Sequence, residues 1–566
     1  MFRTTAGDLM MELLIDWGVD HVYGMPGDSI NTLIESIRKV KDQLTFIQVR
    51  HEEAGALAAA AYAKLTGKLG VCMGIAGPGA IHLLNGLYDA KLDRAPVLAI
   101  AGQVETDLMG TDFFQEVDLA NLFKDVAVYS QTVMSAEQLP AVLNQAIRAA
   151  YDKKGVSVLI IPDDIPKFEV ERQARITSSF FVQSTALPQE KDIKKAVDIL
   201  NEAKRPVILA GKGARGASSS LLAFAEKMKA PIVLSLPGKG IIPDEHPYCL
   251  GGLGLLGTKP STIAMEEADT LIMVGTSFPF TGFLPAKAKT IQIDKDPSQI
   301  GKRYPVDVGL AGDSHQTLNS LMELVKNDNN GSFLEGCQEN LKEWRTKLYE
   351  QEQDHSTPIK PQRVIRALQE VADDDAILSV DVGNVTVWMA RHFNMTNQKF
   401  VISSWLATLG CGLPGAIAGC IAYPDKQVFA ICGDGGFQMM MNDFVTAVKY
   451  DLPLVAIVLN NHKIAMIKFE QEVMGNAEFG TNLQNPNFAK YADICGGVGF
   501  RVEQPEELLP ALKKAVSEKK PCIIDVVVDA NEAPLPAKIT FGQAAGYARH
   551  MLKEFFQEGK IHKPPL

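Results

Sequence analysis

Cysteine is sparse: eight residues among 566, scattered from Cys72 to Cys522, with no two at zinc or thioredoxin spacing. That argues against a disulfide scaffold or a thiolate-held metal and predicts reduced, buried thiols. Positive charge is in deficit too. With 67 Asp and Glu against 56 Lys and Arg the net charge is −11, so no overall positive field exists to hold a nucleic acid, and none is expected as a partner. Long apolar runs are missing: none reaches about 18 uninterrupted residues, and the opening MFRTTAGDLMMELLIDWG breaks its apolar pattern with Asp8, Glu12 and Asp16. A secretory h-region or membrane span is therefore not expected, and a cytoplasmic location is.

What is present points to folded domains. Hydrophobic residues make up 46% and charged residues 22%, a balance that buries real cores, and 566 residues exceed what one core holds. Short apolar runs recur, each ending in Gly, Pro or Asp and followed by a helical pattern, among them VCMGIAGPG, VSVLIIPDD, PVILAGKG, AILSVDVG, VFAICGDGG and LVAIVLNN. This beat predicts α/β domains whose parallel sheets are covered on both faces by helices. Two polar, Pro-containing stretches interrupt it, QSTALPQEKD near residue 183 and the region from about 327 to 363. Three doubly wound parallel-sheet domains are expected, over 1–182, 190–330 and 356–535, with a helical tail at 536–566. Ligands on such sheets sit beyond the carboxyl ends of the strands.

One pair of run ends stands out. VFAIC ends in Gly433-Asp434-Gly435-Gly436, FQMMMNDFVTAVKY then has helical spacing, and LVAIVL ends in Asn460-Asn461. A right-handed crossover sets two such strands about 4.8 Å apart with Asp434 and Asn461 at their carboxyl ends. A carboxylate, an amide oxygen and the main-chain carbonyl of Lys463 suit a hard cation such as Mg2+ that keeps positions open for phosphate oxygens. The glycines let backbone approach a ligand, and a helix beginning near Phe437 turns its N-terminus to an anion. Taken singly, GDGG also reads as a tight turn and NN as a polar strand end. Asp434 and Asn461 are 27 positions apart, however, and at that separation the chain resembles thiamine diphosphate-dependent enzymes.

The resemblance continues in the first domain, where TFIQVRHEEAGALAAAAYAKLTG runs from a strand into an Ala-rich helix. Glu52 matches the glutamate that bonds and activates the aminopyrimidine ring in that family. A lone HEE at a helix start would be a solvated, dipole-stabilising pair, the reading kept for Glu53. Tyr23-Gly24-Met25-Pro26-Gly27-Asp28, Gly77-Pro78-Gly79 with His82, and Phe113-Phe114-Gln115-Glu116 follow in family order. The His-Leu-Leu-Asn continuation after GPG is similar to pyruvate oxidases, which implies catalytic positions for Phe114 and Gln115. In SSWLATLGCGLPGAIAG the resemblance assigns Leu406, Ala407, Thr408 and Leu409 to the cofactor, with Leu409 as the bulky wedge that bends it. Gly383 and Asn384, together with Gly435, Gly436, Ile464 and Ala465, are implied at the thiamine diphosphate. The segment HKIAMIKFEQE puts Ile467 and Glu470 at catalytic positions of pyruvate oxidases and lacks the tryptophan that acetolactate synthases carry there. Ala465 and Met466 stand where many oxidases have Gly-Phe, which leaves the details of substrate packing open.

In the middle domain Gly211-Lys212-Gly213-Ala214-Arg215-Gly216 satisfies G-x-G-x-x-G, yet the next strand, PIVLSLPGKG, lacks the acidic end that would hold a nicotinamide ribose. The resemblance implies FAD instead, on Gly211, Gly213 and Ala214, on Gly254-Leu255-Leu256-Gly257, on Ser277-Phe278-Pro279-Phe280-Thr281 and on Asp294. The implied reaction is oxidative decarboxylation of pyruvate to acetate and CO2, with electrons passing from FAD to a quinone. An oxygen- and phosphate-dependent oxidase and a carboligase of the acetolactate synthase type are the alternatives. In such enzymes Glu52 and the Mg2+ ligands of one cofactor come from different subunits, which implies at least a homodimer and by resemblance a homotetramer. Ala544, Tyr547, Ala548, Met551, Leu552, Phe555 and Phe556 share one face of the tail, a pattern that fits docking on the protein itself or peripheral contact with the inner face of a membrane.

Overall fold

The computed structural model describes residues 3–171, 182, 185–326, 329–534 and 550. The α/β expectation holds: the chain forms three six-stranded, all-parallel sheets. In the first, the strands lie in the order Thr45–Gln48, His21–Gly24, Gly70–Gly74, Val97–Gln103, Val156–Pro162, Ala127–Thr132. The third runs Lys399–Val401, Ile377–Val380, Val428–Gly433, Leu454–Asn460, Cys522–Val527, Val498–Val502. Between them the middle sheet runs Cys249–Gly252, Ile232–Leu234, Pro206–Ala210, Thr270–Val274, Lys289–Asp294, Val308–Ala311. Central strands such as Val97–Gln103, Val156–Pro162 and Leu454–Asn460 are buried at every position, as strands covered on both faces must be. Arg3–Thr5 pairs antiparallel with Glu169–Glu171 and ties the start of the first domain to its end.

First and third domains share one core. The Ala-rich helix Glu52–Thr66, capped by His51 and stopped by Gly67 at φ +73°, lies on Gly412–Ala422 of the third domain. Small residues set the distance. A Cβ at Gly415 would fall 2.2 Å from Ser379 Oγ, and one at Gly86 would fall 2.5 Å from Leu57 N. A larger side chain at either must push elements apart, at a cost of about 1–3 kcal/mol.

Two local expectations are corrected. The polar stretch read as a break from about 327 to 363 contains the 21-residue helix Ser332–Glu352, whose buried apolar residues are the narrow stripe Leu334, Cys337, Leu341 and Leu348, with Glu352 buried at its end. The helical pattern after Gly436 is not one helix starting near Phe437. It divides into Asp434–Met440, a 3-10 turn Met441–Asp443 and Phe444–Lys449. The break serves the domain contact: Asp443 Oδ1 accepts from Arg50 N at 2.8 Å and from Thr446 Oγ1 at 2.9 Å.

All eight cysteines are free and seven are buried, as expected. Among the described residues no helix is long and apolar enough to cross a membrane. The amphipathic tail reading falls outside the described residues.

Candidate active site

Strand Val428–Gly433 pairs in parallel with Leu454–Asn460, with Gly433 opposite Leu459, so Asp434 and Asn460-Asn461 emerge side by side. Asp434 is buried, and its Oδ2 accepts from His462 N and from Asn485 Nδ2, both at 2.7 Å. Its Oδ1 takes only the N–H of Gly435, at 3.0 Å. Burial raises the Asp434 pKa against the pull of these donors, and a bound cation would reverse that shift. Asn461 Oδ1 accepts from Lys463 N at 3.0 Å, and His462 between them takes φ +58°. Lys463 and Asn482 form an antiparallel bridge flanked by Ile464 N to Thr481 O and Leu483 N to His462 O, both 2.7 Å. Lys463 is thus the non-hydrogen-bonded member of its pair, and its carbonyl turns away from the neighbouring segment.

The adjacent strand Ile377–Val380 ends at Asp381, also fully buried. Its Oδ1 accepts from Val382 N at 2.7 Å and Gly410 N at 2.9 Å, while Oδ2 has no partner. Burial pushes its pKa up to about 6. Helix Asn384–His392 starts here beside Asp434–Met440, so two helix N-termini meet at neighbouring strand ends. Nothing lies within 4 Å of where a Cβ would stand at Gly383 or Gly433, and Asn384 Oδ1 is buried without a partner. Open space, paired helix N-termini and an all-oxygen donor set fit a diphosphate with Mg2+. Gly435 and Gly436 hold the turn closed: a Cβ at the first would strike Ile464 Cδ1 at 2.6 Å, and at the second Asp381 Oδ2 at 2.6 Å.

The other candidate acid is Glu52, the first residue of its helix and 8% exposed. Glu52 Oε2 lies 2.9 Å from His82 Nδ1, and the His82 ring stacks on His51 at 4.3 Å. Gly79 of the GPG loop leaves room for Glu52 Oε1, which would sit 3.0 Å from a Cβ there. Gly77, at φ +67°, brings the same loop against Gln115, whose carbonyl would lie 2.8 Å from a Cβ at Gly77. Gln115 itself takes φ +65°, and Phe114 beside it is 78% exposed. Phe114, Gln115, Glu52 and the GPG loop are thus brought together. Ile467 and Glu470 are not: both lie on the exposed face of helix Ala465–Val473, while its buried Lys468 pairs with Glu472 at 2.8 Å.

Thr408 and Leu409 sit in the loop before helix Gly412–Ala422, with Ala407 at φ +55°. Both are half-buried, as is Leu406. Among the described residues no hydrogen bond or ion pair joins Glu52 to Asp434, Asn461 or Lys463.

In the middle domain, Gly211 and Gly213 serve close backbone approach and do not open a helix. A Cβ at Gly211 would meet Thr276 Cβ at 2.5 Å and one at Gly213 would meet Gly275 Cα at 2.7 Å. Ala214 ends the 3-10 turn that follows, and helix Ser218–Met228 begins only after the whole motif. This lies at the switch point between Pro206–Ala210 and Thr270–Val274, where the strand order reverses. Gly254, at φ +97°, faces Phe278 and Phe280, so the loops 254–257 and 277–281 lie against each other. Arg391 of the third domain donates to Leu255 O at 2.9 Å and Gly257 O at 3.1 Å, and Ser277 is bound by Arg303, which stacks on Trp405 at 4.8 Å. Asp294 ends the next strand, its pKa raised by burial. Glycine-bearing loops and a strand-end carboxylate at a switch point fit a dinucleotide.

Sequence reading missed Asn485, which joins Asp434 Oδ2 to Asn460 Oδ1 at 2.7 and 2.8 Å. It comes from a loop distant in sequence and carries no motif of its own. Also missed were Asp93 and Lys64, paired at 2.6 Å, with Asp93 further bound to Ser404 and to Lys212 where the three domains meet.

Comparison with known proteins follows the three sheets. The thiamine pyrophosphate enzyme N-terminal TPP binding domain matches residues 4–122, the central domain 193–321 and the C-terminal TPP binding domain 381–526. A protein of Bacillus subtilis (strain 168) described as thiamine pyrophosphate-containing is 53% identical over 100% of this chain and 99% of its own. A pyruvate oxidase of Lactiplantibacillus plantarum is 39% identical over 94% of this chain and 90% of its own. An acetolactate synthase large subunit of Haemophilus influenzae is 31% identical, over 96% and 97%.

Proposed function

The chain belongs to the thiamine pyrophosphate enzyme family, and from that premise we propose that it is a flavoprotein oxidising pyruvate to acetate and CO2 and delivering the electrons to a quinone. The carrying observation is the pairing of a buried, histidine-bound Glu52 with glycine-bearing loops and a strand-end carboxylate at the switch point of the middle sheet. The greater identity to a pyruvate oxidase than to an acetolactate synthase, and the absence of tryptophan from residues 462–472, support oxidation over carboligation.

Thiamine diphosphate, when bound, supplies the electron sink for decarboxylation, and FAD accepts the electrons. Asp434 and Asn461 side-chain oxygens with the Lys463 carbonyl would hold Mg2+, and Gly383, Asn384, Gly435 and Gly436 would receive the diphosphate. Glu52 holds or releases a proton at Oε1 while His82 Nδ1 fixes Oε2. Leu409 would be the bulky side chain against the cofactor, and Phe114, 78% exposed, would offer an apolar edge to it. Gly211, Gly213, Ala214, Ser277 and Asp294 with the loop 254–257 would bind FAD.

The site is completed by a second copy of the chain, in a homotetramer, so that Glu52 of one subunit faces Asp434 of another. Large exposed side chains, among them Phe114, Met474, Phe479 and Ile494, supply apolar surface for such contacts. Incubating the purified chain with pyruvate, thiamine diphosphate, Mg2+ and a quinone tests the proposal. Acceptor reduction with one CO2 per turnover supports it; CO2 with acetolactate and no reduction replaces it with a carboligase; acetyl phosphate formed with oxygen replaces the quinone.

A further inference from the structure

The loops 254–257 and 277–281 leave strands Cys249–Gly252 and Thr270–Val274, between which two other strands of the middle sheet lie. Three strand spacings, about 14 Å, therefore separate their roots. The loops nevertheless touch: a Cβ at Gly254 would stand 3.4 Å from the Phe278 ring and 3.9 Å from that of Phe280. Each strand pairs with neighbours other than the second, so the sheet ladder does not hold this contact.

The third domain ties down both loops. Arg391, buried on helix Asn384–His392, donates through Nη2 to Leu255 O at 2.9 Å and through Nε to Gly257 O at 3.1 Å. A rigid fork on two carbonyls of one turn fixes the direction of that turn as well as its place. Burial pulls the Arg391 pKa down to about 10, so the group stays charged at neutral pH. Its carbonyl acceptors offset part of the cost of burying that charge, and the same bonds hold the loop. On the other side, Arg303 Nη1 donates to Ser277 O at 3.1 Å and to Ser277 Oγ at 2.8 Å. The Arg303 guanidinium in turn lies over the ring of Trp405, a third-domain residue, 4.8 Å from its centre.

We infer that Arg391 and the Arg303–Trp405 stack are positioning residues for the flavin: side chains of the third domain set where the two loops that would flank FAD stand relative to each other. The inference rests on the proposed FAD site and deepens it. Both ties join the middle and third domains of one chain, so neither depends on which subunit supplies Glu52. Gly211, Gly213 and Asp294 belong to the middle domain alone and keep their places without them. Loss of a tie therefore loosens the grip on FAD without abolishing it.

The test titrates FAD into the full-length apoprotein, following flavin fluorescence, and records the visible absorption band at saturating FAD. In Arg391→Met and in Trp405→Ala the affinity for FAD weakens about 10- to 100-fold, and the bound flavin's band loses its vibrational shoulders, as for a ring less firmly held. Magnesium-dependent thiamine diphosphate affinity of Arg391→Met stays within about threefold of the parent. Trp405→Phe, which keeps an aromatic face for Arg303, retains FAD affinity within about threefold. Should Arg391→Met fail to fold, Arg391→Lys, which keeps the charge and loses the fork, carries that side with a loss of about tenfold. A fall in Tm with parental FAD affinity or a parental flavin band in either variant overturns the inference, as does a Trp405→Phe loss equal to that of Trp405→Ala. If the parent chain itself binds no FAD, the functional reading fails instead.

Discussion

The first and third domains are built to one plan. Counting strands along the chain within each sheet, both run 2-1-3-4-6-5, and in both the helix after the second strand lies on its counterpart from the other domain. At the end of the third strand the first domain places Gly77-Pro78-Gly79, and the third domain places Gly433-Asp434. After the second strand the first domain offers Glu52, and the third an irregular loop with Leu409. Equal topology thus creates equal locations, and the loops alone decide which end of a cofactor each can hold. The domains differ in how they hold their carboxylates. Asp434 is gripped by its own strand-helix-strand unit with help from Asn485; Glu52 depends on His82, which arrives from after a different strand.

Four experiments break or sharpen that comparison. The largest effect is expected at the first-domain acid: Glu52→Gln lowers turnover about 10²-fold or more while cofactor stays bound, read from kcat at saturating thiamine diphosphate. Unchanged turnover would leave the first domain without a chemical role. At the third-domain carboxylate, Asp434→Ala weakens magnesium-dependent cofactor retention by about 10- to 100-fold, seen as apo species in native mass spectra.

The third effect is one of pH. Asp381 keeps its proton in the folded state up to about pH 6, whereas the unfolded carboxyl releases it near the ordinary 3.8. The folded state binds more protons across that window, so this group makes stability fall as pH rises through it and stay lower above. Asp381→Asn flattens the pH dependence of apoprotein Tm between those values and gains about 1–3 kcal/mol at pH 8. A parallel Tm profile would show that the buried charge is compensated. The first domain has no counterpart at its first strand end, where Gly24 leads into Met25.

Smallest is the seam between the domains. Tyr450 accepts from Gln48 N at 2.7 Å and donates to Phe46 O at 2.9 Å, closing the edge strand of the first sheet with a third-domain side chain. Tyr450→Phe costs about 1 kcal/mol in denaturant unfolding and leaves kcat unchanged. A loss in kcat would mean that the seam reaches the site.

Particular residues show how much was legible beforehand. The Asp434 unit could be read because it is contiguous: one strand, one helical stretch and one strand put their ends together whatever the rest of the chain does. Gly211 and Gly213 matched a dinucleotide fingerprint and yet open no helix. Their spacing reports only that backbone comes close, here to Gly275 and Thr276. Helix Ser332–Glu352 escaped because four buried apolar residues over 21 positions leave little periodic signal. Ile467 and Glu470 lie on the outward face of their helix, which no pattern within nine residues distinguishes from an inward one.

The amino-acid order alone determined the α/β class, three sheets and the strand ends at which chemistry is to be found, since apolar runs of strand length and their glycine or aspartate terminators act locally. Tertiary structure alone decided which of Glu52 and Glu53 meets His82, that Asn485 completes the Asp434 cluster, that Asp443 breaks a helix to hold Arg50, and that Arg391 reaches Leu255. Each of these is one hydrogen bond between segments far apart in the chain, with a geometry set by the packing of alanine and glycine faces that many sequences would share. Partners of that kind leave no spacing to read.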